Sequence, residues 1–410
     1  MGKRKADNGA DLLAVMDRGE RESMMEPTLI GAGSNSRIEL ADIALELAQA
    51  SASLRGSIAV PVADSLADLV RNMNCYYSNL IEGHNTHPVD IERALKKDYS
   101  RDSTKRNLQL EAFAHVSVQK WIDTGHFSGL AYTADGIREI HRRFCELLPE
   151  ELLYLEDPQS GERVRVEAGQ FRDRDIAVGA HVAISPGAVP RFTERFAEVY
   201  NKLGKSESVL ACAAAHHRLL WIHPFLDGNG RVARLVSYAV LRDVLDSRGL
   251  WSIARGLARN QSEYKRHLML CDQQRMNDYD GRGNLSERAL VEFTRFFLQV
   301  CLDQVRFMSS LIQPDTLGNR ITRWVEVEAK TERLLSNSSV LLQALLLRGE
   351  LERGEVPAIL GLGERQARRV VAALAARGAV SSETERGPLR LAFPAALAET
   401  WLPGLFPTVS

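Results

Sequence analysis

No two cysteines in this chain form a Cys-x-x-Cys pair. The five present, Cys75, Cys145, Cys212, Cys271 and Cys301, are scattered and odd in number. A disulfide framework and a zinc ribbon are thereby excluded as organising devices, and the usage reads as that of a reduced, cytoplasmic protein. Net charge is nearly absent too. With 52 Lys+Arg against 53 Asp+Glu the formal charge is -1, so nucleic acid is not bound through bulk charge, although a local basic face stays open. The start, "MGKRKADNGADLLAVMDRGERESMM", lacks a long apolar run, which argues against a signal peptide or membrane anchor. Ala6 stands where a myristoylation motif after Gly2 wants Ser or Thr. Residues 1–35 are therefore expected to be a flexible arm. Internal repeats and low-complexity tracts are also missing. What is there is 410 residues, 45% hydrophobic and 26% charged, enough for two or three packed domains.

Helical period dominates the chain. Residues 38–71 fit two helices interrupted near "GSIAVP", and "NCYYSNLIEGHNTHPVDIERAL" continues helically to Ile81, pauses at Gly83 and restarts after Pro88. "NLQLEAFAHVSVQKWIDTG", closed by Gly125, and "TADGIREIHRRFCELL" add two more. "GERVRVEAGQFRDRDIAVGAHVAISPGAVP" alternates Val and Ile with Gly and Pro punctuation, which predicts a short hairpin. Nothing else before residue 380 looks like strand. Four further segments, from "VPRFTERFAEVYNKL" to "ERALVEFTRFFLQVCLDQVRFM", carry apolar residues at i, i+3, i+4 and i+7. Beyond a boundary near Thr331, three short helices and a Thr- and Gly-marked hairpin give the pattern of a winged helix-turn-helix over residues 331–400.

The densest chemistry lies in "HPFLDGNGRVAR", residues 223–234. A helix ends at Trp221, Pro224 stops it, and Gly228 and Gly230 let the backbone turn before a second helix starts near Arg231. Free N–H groups at that start make an anion nest, favoured by the positive end of the helix dipole. Arg231 and Arg234, three apart, reach one polyanion from one face, each contact being worth roughly 1.5–3 kcal/mol. Asp227 in such a nest implies Mg²⁺ between acid and phosphate. His223 at the other rim would take the proton of an incoming hydroxyl. The spacing points to phosphoryl or nucleotidyl transfer.

The string resembles the HPFx(D/E)GNGRxxR signature of the Fic (filamentation induced by cAMP) family. That resemblance implies a mainly α fold: a Fic-type helical bundle with a β-hairpin flap, here followed by the winged helix. It implies transfer of AMP from ATP and Mg²⁺ to a Ser, Thr or Tyr hydroxyl of a target protein. His223 would be the base, Asp227 the Mg²⁺ ligand, and Gly228, Asn229 and Gly230 the anion hole, with Arg231 on the β-phosphate and Arg234 on the γ-phosphate. "GQFRDRDIAVGAHVAISP" resembles the family's target-docking flap at Arg172, Ile176, Val178 and Gly179, which would bind a target segment by strand addition. "SNLIEG" resembles the (S/T)xxxE(G/N) inhibitory helix. Ser78 and Glu82 share a helix face, Gly83 follows, and Glu82 paired with Arg234 would keep the γ-phosphate out. Where many members carry two aromatics at the adenine, this chain has Tyr264 followed by Lys265, so Tyr264 is the one aromatic left for the nucleotide. The domains expected are N-terminal helices at 36–125 and a catalytic core at 126–310.

Consecutive His216 and His217 diverge around a helix and read as structural, not metal-binding. In "GERQARRVVAALAARG", Arg365, Gln366, Arg368 and Arg369 open the third helix of the winged module, which suits DNA contact, with Arg386 and Arg390 beside the wing; Glu350, Glu352, Glu355 and Glu364 oppose it. Two other functions stay open: a DNA-binding regulator with a nucleotide-sensing core, and a hydrolase that removes AMP. No membrane partner is expected, and a homodimer is left open.

Overall fold

Helix α1 (Ser36–Gly56) and helix α2 (Val60–Ile81) fall where the apolar period placed them. Pro61 stands in the first turn of α2, where its missing N–H leaves nothing unmatched. From Leu69 to Asn79 every residue of α2 is buried, so this helix runs through the interior. The structure is a computed structural model and describes residues 16–156 and 161–407. In it α2 packs against α4 (Ser103–Trp121), with the short α3 (Pro88–Leu95) between them in sequence. Helix α5 (Ala134–Glu146) follows Thr133, whose hydroxyl accepts from the Gly136 N–H at 3.0 Å and caps it.

The single hairpin expected over residues 161–190 is two. Strand β1 (Tyr154–Glu156) pairs antiparallel with β2 (Arg163–Arg165), and β3 (Ala177–Val178) with β4 (His181–Val182). Tyr154–Glu156 went unread because three residues are too short to show alternation. Helix α6 (Val189–Tyr200) leads to α7 (Lys205–Ile222) and α8 (Asn229–Leu245), which pack together. The run Ala211–Ala215 on α7 is wholly buried, its small side chains letting neighbours approach closely. Helix α8 starts at Asn229, two residues before the position expected from Arg231. Helices α9 (Ile253–Arg259), α10 (Gln261–Cys271) and the long α11 (Glu287–Ile312) close the bundle, α11 covering α1 and α7.

The N-terminal arm is not loose where it is described. Asp17 and Glu22 pair with Arg191 at 2.8 and 2.9 Å, Arg18 pairs with Asp175 at 2.8 Å, and Glu20 accepts from the Ser185 N–H and hydroxyl at 2.8 and 2.6 Å. Met25 is fully buried, and the Pro27 carbonyl accepts from the buried Arg218 guanidinium at 2.8 Å. Residues 16–35 are a strap across the core; residues 1–15 of the expected arm lie outside the described residues.

Beyond α12 (Pro314–Lys330) come α13 (Ser338–Arg348), α14 (Val356–Leu360) and α15 (Glu364–Ala376). A three-stranded antiparallel sheet joins them in the order β5 (Glu350–Leu351), β7 (Leu389–Leu391), β6 (Val380–Ser381). The two-residue β5 was not expected. Helix α16 (Ala395–Trp401) buries Trp401 edge-on to Trp324, centroids 5.3 Å apart. The segment after it reaches the interior helix, Leu405 accepting from the Tyr77 hydroxyl at 3.1 Å and Gly404 from Arg255 at 2.8 Å. All five cysteines are buried and unpaired. No helix among the described residues is long and apolar enough to cross a membrane.

Candidate active site

Pro224 forbids α7 to continue past Ile222. His223 takes up a left-handed conformation, φ 51°, and its Nδ1 donates to the Leu220 carbonyl at 3.2 Å. A carbonyl only accepts, so the proton sits on Nδ1 and Nε2 keeps its lone pair. Burial lowers the imidazole to about 4, with the Leu220 contact opposing and Arg172 and His181 adding to the shift. It is neutral at pH 7. Phe225 then turns fully inward and stacks on His141, rings 3.9 Å apart and 3° from parallel. His141 accepts from the Gly169 N–H at 2.9 Å, which fixes its ring.

Asn229 was expected among the anion contacts, but its side chain turns the other way. It accepts from the Phe225 N–H at 3.0 Å and donates to the Phe225 carbonyl at 2.8 Å, stapling the loop, so only its backbone is left for a ligand. Gly228, φ 80°, reverses the chain, and the first amide bonded back is Val232, to Gly228 at 2.9 Å. The N–H groups of Asn229, Gly230 and Arg231 are thus the open ones at the start of α8. Asp227 is exposed, and its carboxylate forms no ion pair among the described residues. One carboxylate beside a nest fits a magnesium ligated otherwise by phosphate and water. Among the described residues no group of three His, Cys, Asp or Glu could hold a metal instead.

Arg234 is 3% exposed. Its Nε donates to Ser78 Oγ at 2.8 Å, and its Nη2 to the Ser78 carbonyl at 3.3 Å and to Glu82. Burial disfavours the Glu82 carboxylate, but the charge and hydrogen bond of Arg234 outweigh it and hold the carboxyl below its usual range. A Cβ on Gly230 would come within 2.5 Å of Glu82 Oε1, so glycine there lets the carboxylate lie on the first turn of α8. Gly83 ends α2.

The hairpin β3–β4 turns at Gly179 and Ala180, with Val178 and Val182 exposed and the Ile176 carbonyl accepting from the Ala183 N–H at 3.1 Å. His181 Nε2 donates to the Trp221 carbonyl at 2.8 Å and ties the hairpin to the end of α7. Arg172, expected on the docking surface, is 1% exposed and is instead an internal brace. It donates to the carbonyls of His223 and Arg174 at 2.8 Å each, and to that of Ile184. Burial lowers it to about 10.

A family model described as Fic/DOC family matches residues 131–241, the segment that holds this loop and hairpin. The chain carries a Fic domain. It is similar to Protein adenylyltransferase Fic of Drosophila willistoni, 30% identical over 168 residues, 40% of this chain and 31% of that protein. The protein of the same name from Drosophila virilis is 30% identical over 168 residues, 40% and 32%. The chain spans about a third of the length of the curated relatives it matches. In fold it is similar to a Fic family protein from Desulfovibrio desulfuricans G20, with a TM-score of 0.50, 16% identity, and coverage of 88% of this chain and 98% of that one. The architecture is therefore mainly α and Fic-like.

Arg231 forms an ion pair with Glu111 of α4, which lies outside the matched segment, and its guanidinium lies 5.2 Å from the centre of the Phe144 ring. His84 Nδ1 donates to the other Glu111 oxygen at 2.7 Å. Sequence reasoning missed Glu111, His84 and His141. A signal existed for the first: Glu111, His115 and Gln119 recur every fourth residue on α4, and Asn74 of α2 lies within hydrogen-bond reach of the last two. Asn74 donates to Gln119 at 2.7 Å. Tyr264 is corrected as well. It is 2% exposed, with its hydroxyl donating to His216 Nε2 at 2.7 Å, so it braces the core behind Arg234 and is closed to a nucleotide. His216 and His217 are buried and bonded to Ser237 and Asp272 at 2.9 and 3.0 Å, in structural roles.

On the C-terminal module Arg365, Gln366, Arg368 and Arg369 are all exposed along α15. A groove of about 840 Å³ runs between α15 and the β6–β7 hairpin, with Arg353, Arg368 and Arg386 on its walls.

Proposed function

We propose that the chain is a protein adenylyltransferase that moves AMP from ATP to a Ser, Thr or Tyr hydroxyl of a target protein, held inactive by Glu82. One observation carries the reading: His223 keeps an unprotonated Nε2 at one rim of a loop whose other rim is the open amide start of α8. The target oxygen bonds to the α-phosphorus, the α–β anhydride bond breaks, pyrophosphate leaves, and the hydroxyl proton goes to Nε2. The open amides of Asn229 and Gly230 and the Arg231 guanidinium orient the phosphates. Asp227 would hold Mg²⁺, whose chemistry is to neutralise phosphate charge. Positioning and neutralisation supply most of the acceleration, and the base adds about 10²–10⁴-fold. Arg234, bound to Ser78 and Glu82, is withheld from the γ-phosphate. The exposed β3–β4 hairpin offers a target segment an edge to add to. Glu82→Gly protein given labelled ATP and Mg²⁺ should label itself or a partner with AMP, and Glu82→Gly/His223→Ala should not. Equal labelling by the two would remove His223 from its role. The unpaired cysteines support a cytoplasmic location.

A second reading concerns the C-terminal module. Glu350 is taken by Arg390 and Glu355 by Arg348, which leaves Arg365, Arg369 and Arg386 with no carboxylate partner among the described residues. That supports contact with duplex DNA by α15 and the wing. Arg365→Ala/Arg369→Ala should then weaken binding to a mixed-sequence duplex and flatten its log–log salt slope by about 2. Unchanged binding would discard the reading.

A further inference from the structure

Both motif arginines are gripped, and the second grip belongs to no part of the motif. Arg231 and Glu111 have side chains only 9% exposed each, and Phe144 covers one face of the guanidinium. A guanidinium so deep needs an acceptor against it, and charge alone would be satisfied by a carboxylate at any angle. Here the arm is fixed at both ends. Glu111 rises from the buried face of α4, and its second oxygen is held by His84, two residues after Glu82 and tied down by its own N–H donating to the Asn79 carbonyl at 2.9 Å. The groups facing His84 are Glu111, Arg231 and Glu82.

We propose that Glu111 is a positioning residue: held by His84, it sets the plane of the Arg231 guanidinium against Phe144 so that Arg231 meets the nucleotide phosphates in one orientation. The turn Glu82–Gly83–His84 thereby reaches both arginines, Arg234 directly and Arg231 through Glu111. This rests on the reading of Arg231 as a phosphate contact.

Two substitutions separate arm length from charge. Glu111→Gln keeps the reach, its carbonyl accepting from Arg231 and its amide donating to the other tautomer of His84. Glu111→Asp keeps the charge but shortens the arm by one methylene. In a Glu82→Gly background, AMP incorporation is measured over a range of ATP concentrations. Glu111→Gln should keep kcat and KM within about threefold of the parent, and Glu111→Asp should lower kcat by about 10- to 100-fold, the cost of a roughly 1 Å misplacement. The reverse order, or equal values for the two, would overturn the proposal. Side-chain NMR of the full chain gives a readout independent of turnover. The Arg231 Nη signals should be resolved in the parent and in Glu111→Gln and exchange-broadened in Glu111→Asp; resolved signals in all three would also overturn it. If the Glu82→Gly parent transfers no AMP while the Nη signals behave as stated, the donor assignment fails and the positioning of Arg231 stands.

Discussion

Asn229 and Phe225 close a ring of two hydrogen bonds inside a loop where Asn229 is 4% exposed and Phe225 is fully buried. Truncation to Ala would strand the Phe225 N–H and carbonyl without partners. Each stranded group costs about 1–3 kcal/mol, so Asn229→Ala should lower stability by roughly 2–6 kcal/mol in urea unfolding, and AMP transfer should fall because the nest loses its shape. His223 makes a second prediction at this scale. Its folded value of about 4 leaves the imidazole neutral through the physiological range. Transfer by the Glu82→Gly variant should therefore be level from pH 8 down to 6 and lost only as pH falls toward 4, where the base takes up a proton. A limb centred near 6.5 in the rate profile would contradict the burial argument.

The end of α2 is the element on which restraint depends. Gly83 sits at φ 88°, and a side chain there would cost about 1 kcal/mol or more and fray the last turn. Gly83→Ala should thus raise basal AMP incorporation while lowering the melting temperature; lower stability with unchanged basal incorporation would mean that Glu82 does not depend on that turn. The helices of this chain were legible because each buries an apolar stripe and is bounded by a proline or glycine, Pro61 and Pro88 opening helices and Gly125 and Pro224 standing just past the ends of others. The motif loop was legible for the same reason, since its turn, nest and arginines are local. What escaped is non-local. The strap pairs Asp17 and Arg18 with Arg191 and Asp175, more than 150 residues away, and nothing near residue 17 announces those partners. Arg172 was unreadable as a brace because charged residues are mostly exposed, and only the packed structure shows what it faces.

At the scale of the molecule, histidine burial sets the response to acid. Of ten histidines, five are held far below the ordinary value: His115 and His216 at about 3, and His141, His217 and His223 at about 4. Burial is the largest cause in every case, and for His115 the charges of Arg234 and Arg231 add to it. In the unfolded chain each would titrate near 6.5. The sign follows. Above about 6.5 both states hold these rings neutral and the full stability is present. As pH falls from there toward 4, the unfolded chain binds protons that the folded protein refuses, so the unfolded state gains. Each ring contributes a slope approaching 1.4 kcal/mol per pH unit, and five acting together make the loss steep. His84 works in the opposite direction, its value raised by the Glu111 hydrogen bond, but it is a single group. Chemical unfolding between pH 7 and 5 should therefore show stability collapsing with a proton uptake of several per molecule, well before the carboxylates titrate. His223→Ala should reduce that uptake by about one proton while leaving the rest of the curve in place. A stability that is flat between pH 7 and 5 would mean that these rings are hydrated in solution, and with them the interior that aligns α7, α8 and the motif loop.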